Sequence, residues 1–311
     1  MTANFDVIVV GGGVAGLSAC LMLSRCALKV LCIDSGKPCN SSVNHTHTFL
    51  TQEGSSASAI RDISRNQIEQ YKKVEFYSGT VDDIEKLSPN QFKLRVNGNN
   101  YFITSQIVIA SGVTDLLEES KIANLDKFWG HSVSSFAFSD GYDYKDKRAA
   151  LINSLPGCVS EIAPLTSYFS KELTVMTNGG FDKNESDLSI TNECEKNGVD
   201  VIHKEIKSLN GQGRKLKEVE FTDGSKFELD VIYYYPPFKV NGEEYLKKLG
   251  VEFCPELNLI KTDSMQKTNV PGICAAGDAC TIIRSIPGSV AQGSFAGAVS
   301  AKTLFVEMWN K

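Results

Sequence analysis

A run of glycines near the N-terminus has the spacing needed to bind phosphate groups. The apolar stretch 5–10 leads directly into Gly11-Gly-Gly-Val-Ala-Gly16, and a second apolar stretch ends in Asp34. Gly11 permits a tight turn off a strand, Gly13 lets the backbone approach a pyrophosphate, and Gly16 lets a helix pack closely on the strand. The N–H groups at the start of that helix would bind the phosphates, and Asp34 would accept hydrogen bonds from ribose hydroxyls. The pattern therefore predicts a dinucleotide site.

Two later segments favour a flavin dinucleotide over a nicotinamide dinucleotide. The strand-like stretch 272–275 is followed by Ala276-Gly-Asp278-Ala, in which Asp278 is placed to bond the ribityl chain or the pyrophosphate side. A helix predicted from about 289 to 308 would direct its N-terminal dipole at the flavin N1/O2 edge. The turn Ala110-Ser-Gly112 follows another buried strand, at the point where the chain would pass between domains.

Two α/β units are needed to position these turns. The same plan of strand, helix and strand occurs twice, at residues 5–10, 14–26 and 29–34 and again at residues 148–152, 157–169 and 172–176. A short antiparallel meander is predicted after each unit. We therefore predict an α/β fold with two Rossmann-like three-layer (ββα) dinucleotide-binding domains, the second inserted in the first. The expected domains are 1–114 with 245–311, and 115–244.

Composition excludes several classes of function. The chain of 311 residues has a net charge of −5, so no basic surface indicates binding of nucleic acid or of a membrane. No apolar run is long enough to cross a bilayer. Residues 1–6 lack the basic and apolar regions of a signal peptide, which indicates a cytoplasmic protein. The nine cysteines include no Cys-x-x-Cys pair and the four histidines form no ligand cluster, so we expect thiols and no metal site.

Together these segments resemble the thioredoxin reductase-like branch of the flavoproteins with two dinucleotide-binding domains. The matching segments span nearly the whole chain and are Gly11–Gly16, Asp34, Asn40 with His47–Gly54, Ala110–Val113, Trp129–Gly130, Thr177–Gly179 and Thr268–Asp278. The resemblance implies FAD as the cofactor and a homodimer. The residues expected at the cofactor are Gly11, Gly13, Val14, Ala15, Gly16, Asp34, Ser35, Asn40, His47, Ala110, Ser111, Gly112, Gly277, Asp278, Val290 and Ala291.

The chain departs from this family where relatives carry a redox disulfide. Relatives have a Cys-x-x-Cys at the start of a helix in the second domain, and this pair relays electrons from the flavin. By alignment Phe136 and Ser139 take the two cysteine positions, and neither side chain can form a disulfide. Disulfide reduction by the usual route of the family is therefore not expected. Asp140 stands where the family often has its proton donor; the alternative is that Asp140 caps or solvates a helix start.

The second glycine motif is also missing. After the strand at 148–152 the sequence reads Asn153-Ser-Leu155-Pro-Gly157, so Leu155 has a Cβ where a pyrophosphate must come close. The next strand ends in Met176-Thr-Asn-Gly-Gly180, with no arginine to bind a 2′-phosphate. Binding of NADPH in the usual manner is therefore disfavoured. The remaining glycines leave room for NADH, and the alternative is that this domain has become a lid.

The loop Asn44–Phe49 carries the best candidates for new chemistry. In this family the loop passes over or beside the isoalloxazine ring. His47 would act there as a general base, or would stabilise reduced flavin as an imidazolium, and His45 is the second choice. The alternative is a histidine that holds the loop by bonding to the backbone. His47 and Asp140 are therefore the candidate catalytic residues.

Three functions are consistent with this pattern. The first is an FAD-dependent oxidoreductase that oxidises a small molecule directly at the flavin, with oxygen or a carrier as the acceptor. The second is a reductase fed by NAD(P)H, or by a protein donor such as ferredoxin, that passes electrons to an external acceptor. The third is a flavin-binding regulatory protein without turnover. We favour the first, because the FAD site is intact while the disulfide and the usual nicotinamide site are missing.

Overall fold

The chain folds into two compact α/β units. The computed structural model describes residues 3–135, 137–154, 157–180 and 185–310. The first unit comprises Met1–Thr114 and Lys239–Lys311, and the second unit, Asp115–Phe238, interrupts it in sequence. The chain therefore returns to the first unit at Lys239, before the expected boundary between residues 244 and 245. The reason is local, because Asn241 is hydrogen-bonded to Ser111 of the first unit.

Strands and helices alternate through most of the described chain. The strands are β1 (Ala3–Val10), β2 (Val30–Asp34), β3 (Val74–Ser78), β4 (Val81–Ser88), β5 (Gln91–Val96), β6 (Asn100–Ile109), β7 (Val113–Asp115), β8 (Val133–Ser134), β9 (Arg148–Ile152), β10 (Glu172–Met176), β11 (Asp200–Ile202), β12 (Ile206–Gln212), β13 (Lys215–Phe221), β14 (Lys226–Glu228), β15 (Val231–Tyr233), β16 (Phe238–Val240) and β17 (Ile273–Ala275). The α-helices are α1 (Val14–Arg25), α2 (Ala57–Glu69), α3 (Leu125–Phe128), α4 (Ala137–Asp140), α5 (Ala163–Phe169), α6 (Glu185–Lys196), α7 (Glu243–Lys248) and α8 (Ile286–Trp309).

The first unit is built on a sheet with the order β3-β2-β1-β6-β5-β4, and β17 also pairs with β6. The strands β3, β2, β1, β6 and β17 are parallel, whereas β5 and β4 form an antiparallel extension. Residues Val7–Val10 and Ile107–Ile109 of the central strands are buried. Because a parallel sheet is covered on both faces, these strands are continuous runs of valine and isoleucine rather than alternating sequences.

Helices α1 and α8 pack together through small residues. A Cβ on Gly293 would stand 2.0 Å from the carbonyl oxygen of Ala15, and one on Gly297 would stand 2.8 Å from that of Ala19. Residues of both helices share one buried core with β1, β2 and β17. Since larger side chains would separate the helices, the glycines of α8 fix the position of the N-terminus of α1.

The second unit repeats the parallel plan with the strand order β11-β10-β9-β15-β8. Strands β9 and β10 have the predicted bounds, and β12, β13 and β14 form the predicted antiparallel meander. The predicted helix at 157–169 instead begins as a π-helical turn, Cys158–Ile162, and continues as α5. Helix α6 and strand β11 were absent from the sequence-based prediction.

All nine cysteines lie within the described residues, and each is a thiol rather than half of a disulfide. In the described part of the chain, no helix is long and apolar enough to span a membrane. The same residues contain no group of three or more His, Cys, Asp or Glu side chains that could hold a metal ion.

Candidate functional site

The first unit contains a cleft of about 850 Å³ at the carboxyl ends of its parallel strands. This volume is in the range of small-molecule and cofactor sites, and α/β sheets bind ligands at this edge. The walls come from the ends of β1, β2 and β6 and from the segment before α8. The predicted cofactor residues that line the cleft are Gly11, Gly13, Val14, Ala15, Asp34, Ser35, Asn40, Ala110, Ser111, Gly112, Gly277 and Asp278.

The glycine motif forms the turn between β1 and α1. Gly11 has a φ of +107°, and a Cβ there would stand 2.2 Å from the carbonyl oxygen of Ala110. A Cβ on Gly16 would stand 1.9 Å from the carbonyl oxygen of Gly11, so Gly16 serves packing and lies outside the cleft lining. In contrast, no atom of the described residues lies within 4 Å of a Cβ on Gly13. The cleft is therefore open where the backbone must meet a pyrophosphate.

The start of α1 offers hydrogen-bond donors to a phosphate. Helix α1 begins after Gly13, which has no side chain to cap the N–H groups of the first turn. These groups and the helix dipole favour an anion. Asp34 ends β2 beside them, because a Cβ on Gly12 would stand 2.6 Å from Oδ2 of Asp34. A ribose attached to the pyrophosphate would meet this carboxylate.

Asp278 enters the cleft from the segment before α8. Its Oδ1 accepts a hydrogen bond from Ser289 Oγ over 3.3 Å, and its Oδ2 accepts one from Cys39 Sγ over 3.6 Å. The N–H of Gly277 donates to Gln292 Oε1 over 2.8 Å. Ser289 and Cys39 also line the cleft, so these bonds hold the Asp278 carboxylate in its wall.

Helix α8 begins at Ile286, earlier than the predicted residue 289. Ser285 caps the helix with its side chain, and a proline stands in the first turn; both features are typical of a helix start. Ser289 lines the cleft, whereas Val290 and Ala291 lie outside its lining. Contact of Val290 and Ala291 with a flavin stays a prediction.

The cleft also contains polar residues that belong to no sequence motif. Arg61 of α2 lines the cleft and donates to Asn40 Oδ1 over 3.5 Å. Its positive charge suits a site for a diphosphate. Asn241 and Tyr245 come from the chain that returns after the second unit, and burial raises the pKa of Tyr245, which keeps the phenol neutral. No signal in the single sequence could have identified these residues, because the fold brings them to the motifs.

His47 and Glu53 form a hydrogen-bonded pair within residues 44–54, the segment called the histidine loop below. Glu53 accepts hydrogen bonds from His47 Nδ1 over 2.6 Å and from the N–H of Thr48 over 2.8 Å. The bond from His47 lowers the pKa of Glu53 below its ordinary value of 4.5. His45 Nδ1 donates to the carbonyl oxygen of Gly54 over 3.1 Å. Both histidines therefore hold the loop, and His47 lies outside the cleft lining. These contacts favour the structural alternative, and a role at the flavin stays a prediction.

Asp140 ends the short helix α4 and is bonded within its own unit. Ser134 donates a hydrogen bond from Oγ to Asp140 Oδ2. Burial and, secondly, the negative charge of Asp140 raise the pKa of Tyr233. The carboxylate thus belongs to a polar cluster beside a buried tyrosine, which favours a structural role, and its catalytic role stays a prediction. Ser139 lies in the same helix, and Phe136 lies outside the described residues.

The turn after β9 differs from the turn after β1. Leu155, whose Cβ was expected to stand where a pyrophosphate comes close, lies outside the described residues. Gly157, with a φ of +75°, precedes the π-helical turn, and Cys158 Sγ donates to the carbonyl oxygen of Ile152 over 3.7 Å. At the end of β10, the buried hydroxyl of Thr177 has no partner among the described residues. The second unit thus has the parallel sheet of a dinucleotide domain, and in its described residues the helix after β9 begins with a π-helical turn.

The sequence is similar to known redox proteins over most of its length. Residues 5–293 match the family described as pyridine nucleotide-disulphide oxidoreductase. The thioredoxin reductase tcpT of Claviceps purpurea is 26% identical over 317 residues, which cover 99% of this chain and 97% of that protein. The similarity therefore includes both units.

Solved structures give the same result for the fold. The oxidoreductase from Agrobacterium tumefaciens is 30% identical with a TM-score of 0.87, and the match covers 97% of this chain and 99% of that one. The putative thioredoxin reductase TrxB from Bacillus anthracis is 25% identical with a TM-score of 0.88, over 98% and 99% of the two chains. These structures confirm the predicted α/β class with two Rossmann-like domains, the second inserted in the first.

Proposed function

Because the chain belongs to the pyridine nucleotide-disulphide oxidoreductase family and is thioredoxin reductase-like, we propose that it is an FAD-dependent oxidoreductase that oxidises a small molecule directly at the flavin. One observation carries the proposal: the sequence has nine cysteines and no Cys-x-x-Cys. A disulfide relay needs two cysteines that can bond to each other. With Phe136 and Ser139 at the aligned positions, electrons have to pass between substrate and flavin without that relay.

FAD is the cofactor of this family, and the cleft of the first unit fits it. When bound, FAD supplies two-electron chemistry: two electrons and two protons leave the reduced substrate and pass to oxygen or to a carrier. The first turn of α1 would hold the pyrophosphate, and Arg61 would balance part of its charge. Asp34 would bind the ribose, and Asp278 would bind the ribityl chain or the pyrophosphate side.

We infer that NADPH does not reduce this protein in the manner usual for the family. The segment Asn153–Gly157 lacks the glycine spacing of a phosphate-binding turn. After β10, the segment Thr177–Gly180 contains no arginine that could bind a 2′-phosphate. The substrate would therefore be the electron donor in the reaction.

The second candidate is a reductase fed by NAD(P)H or by a protein donor such as ferredoxin. The observation that favours it is the buried hydroxyl of Thr177, which has no partner among the described residues. Buried polar groups are normally hydrogen-bonded, and this one directly follows β10, at the edge of the sheet where dinucleotide domains bind a ribose. A third reading, a flavin protein without turnover, predicts a flavin that dithionite reduces and that substrates do not.

A dithionite titration of the anaerobic holoenzyme tests the absence of a relay. A protein whose redox group is FAD alone takes up two electrons per flavin, and an added redox disulfide takes up two more. We expect two electrons per flavin. Uptake of four electrons per flavin would contradict the proposal and would reveal a redox disulfide formed by other cysteines. Cys39→Ala, Cys158→Ala and Cys280→Ala would then identify which thiols take part.

We also infer that the protein is a homodimer of the cytoplasm. The last turns of α8 expose apolar side chains, with Phe305 44% and Trp309 90% exposed, and they border a groove that includes Met22. Exposed apolar clusters of this kind mark interaction surfaces. Nine thiols without a disulfide fit a reducing compartment. Light scattering should give a molar mass twice that of the chain. The Trp309→Ser variant should have a lower molar mass, because it loses an apolar contact of the interface. A wild-type protein that is monomeric at micromolar concentration would contradict the inference of a dimer.

A further inference from the structure

Asn241 lies in the cleft of the first unit and is bonded to one short segment. Its Nδ2 donates to the carbonyl oxygen of Ser111 over 2.8 Å, and its Oδ1 accepts from Thr114 Oγ1 over 2.6 Å. Its backbone N–H donates to the carbonyl oxygen of Gly112 over 3.0 Å, and its own carbonyl accepts from Ser111 Oγ over 2.8 Å. The side chain and the backbone of one residue thus hold the segment from Ser111 to Thr114.

The segment held in this way belongs to the cofactor cleft. Ala110, Ser111 and Gly112 all line the cleft, and so does Asn241. The turn lies against the glycine motif, since a Cβ on Gly11 would stand 2.2 Å from the carbonyl oxygen of Ala110. A shift of the turn would therefore also change the cleft beside the glycine motif.

We propose that Asn241 is a positioning residue for FAD. It engages the carbonyl oxygens of Ser111 and Gly112, and this keeps both from turning towards the cofactor. A carbonyl oxygen that faced the cleft would bring partial negative charge towards the diphosphate and towards the electrons that the flavin accepts. The proposal rests on the FAD site and does not depend on the identity of the substrate.

An asparagine is suited to this position because its short side chain carries a donor and an acceptor. Asn241→Ala removes both side-chain bonds. Asn241→Asp keeps the acceptor for Thr114 and loses the donor for Ser111 while the carboxyl group is ionised. Thr114→Val removes the bond to Oδ1 and leaves the bond to Ser111. The three variants therefore remove different members of the pair of side-chain hydrogen bonds that Asn241 makes to Ser111 and Thr114.

Asn269 provides a matched control. Its Nδ2 donates to the carbonyl oxygen of Gly250 over 2.8 Å, and its Oδ1 accepts from the N–H of Glu252 over 2.9 Å. Asn269 thus joins two segments of the same unit with the same pair of side-chain bonds, but it lies outside the cleft lining. Asn269→Ala reports what the loss of such bonds does to the fold alone.

Release of FAD from diluted full-length holoenzyme, followed by the recovery of flavin fluorescence, tests the proposal. We expect Asn241→Ala to release FAD about tenfold faster than the wild type, or ~1.4 kcal/mol, which is the order of a lost hydrogen bond. Thr114→Val should show a smaller increase, and Asn269→Ala should release FAD at the wild-type rate. Equal release rates for Asn241→Ala and Asn269→Ala would reduce Asn241 to a structural brace and overturn the proposal.

The Asn241→Asp variant gives a readout that a structural brace would not move. While ionised, the carboxylate leaves the Ser111 carbonyl without its donor and adds negative charge; once protonated, it can donate again. Asp34 and Asp278 line the same cleft and affect the wild type and the variant alike, so the readout is the ratio of the two release rates. We expect this ratio to fall towards one as the pH falls through the protonation range of the introduced carboxyl group. A rate equal to that of the wild type at every pH would overturn the proposal, even if Asn241→Ala did not fold.

Discussion

The segments that follow β1 and β9 occupy the same place in two units of one plan, and the residues that the structure describes there are built differently. After β1 the chain turns at Gly11, α1 starts after Gly13, and the space beside Gly13 is open. After β9 the chain enters a π-helical turn, and the thiol of Cys158 donates back to the carbonyl oxygen of Ile152. The first turn leaves the N–H groups at the start of α1 without a side-chain cap, whereas at the second the Cys158 thiol donates a hydrogen bond inside the protein.

The difference shows that the parallel sheet does not depend on the phosphate turn. Both central strands are buried, Val7–Val10 in the first unit and Ala149–Ile152 in the second. Burial contributes about 0.8 kcal/mol for each methylene group, and this contribution is independent of the turn that follows. A dinucleotide domain can therefore change its phosphate turn and keep its fold, which separates cofactor binding from stability.

Filling the open space of the first turn is the largest test of this comparison. Gly13 has a φ of −71° and a ψ of 178°, which any residue can adopt, and no described atom lies within 4 Å of an added Cβ. Gly13→Val should therefore keep the fold and block the cofactor. We expect the affinity for FAD to fall about 100-fold, or ~2.7 kcal/mol, in a fluorescence titration, with little change in Tm.

The matched change in the second unit is Ser154→Val, at an exposed residue after β9. This variant should bind FAD as the wild type does, because the FAD cleft belongs to the first unit. Full FAD affinity in Gly13→Val would contradict the account. Equal loss of FAD from both variants would contradict it as well, since the effect would then be a general loss of structure.

The second expected effect concerns His47, whose role at the flavin stays a prediction; its contacts favour a role in holding the histidine loop. We expect His47→Ala to lower the midpoint potential of bound FAD by about 30 mV, a tenfold change in relative affinity for the two redox forms in a two-electron couple. The shift would follow from the predicted role of His47, since an imidazolium near the flavin would favour its reduced form. His45→Ala is the control, because His45 bonds Gly54 within the same loop. Equal shifts in both variants would assign both histidines to loop structure.

The smallest effect concerns the response of that loop to acid. His47 lowers the pKa of Glu53 in the folded state, so the pair stabilises the loop above the ordinary pKa, and this stabilisation is lost as the pH falls through the lowered pKa. Hydrogen exchange at residues 46–54, corrected for the intrinsic rate, should speed up in the wild type as the pH falls below the ordinary glutamate pKa of 4.5. Glu53→Gln should remove this dependence. Unchanged protection of the wild-type loop down to about pH 2 would rule out the pair as its support.

Sequence patterns were sufficient to predict the central strands of both units. The bounds of β9 and β10 agree with the prediction because an uninterrupted apolar run between polar flanks defines a buried strand. Helix α6 was not predicted because its sequence, Glu185–Lys196, is mostly polar and has a weak apolar stripe. The π-helical turn Cys158–Ile162 was not predicted either, since single-sequence patterns do not distinguish it from the first turn of an α-helix.

The candidate site could be predicted as far as its motifs extend. Gly11, Asp34 and Asp278 line one cleft, as their spacing indicated. Arg61 and Asn241 could not be predicted, because each is a single polar residue far in sequence from the segment that it contacts. Only the folded chain brings them together.

We propose above all that the first unit binds FAD and that the second unit does not bind NADPH in the usual manner of the family. Stopped-flow absorbance of the oxidised-flavin band tests it directly, with anaerobic holoenzyme mixed separately with NADPH and with NADH. We expect dithionite to bleach the flavin, and we expect NADPH not to bleach it at a catalytic rate, above about 1 s⁻¹. Bleaching by NADPH at such a rate would contradict the account, and fast bleaching by NADH alone would favour the second candidate function.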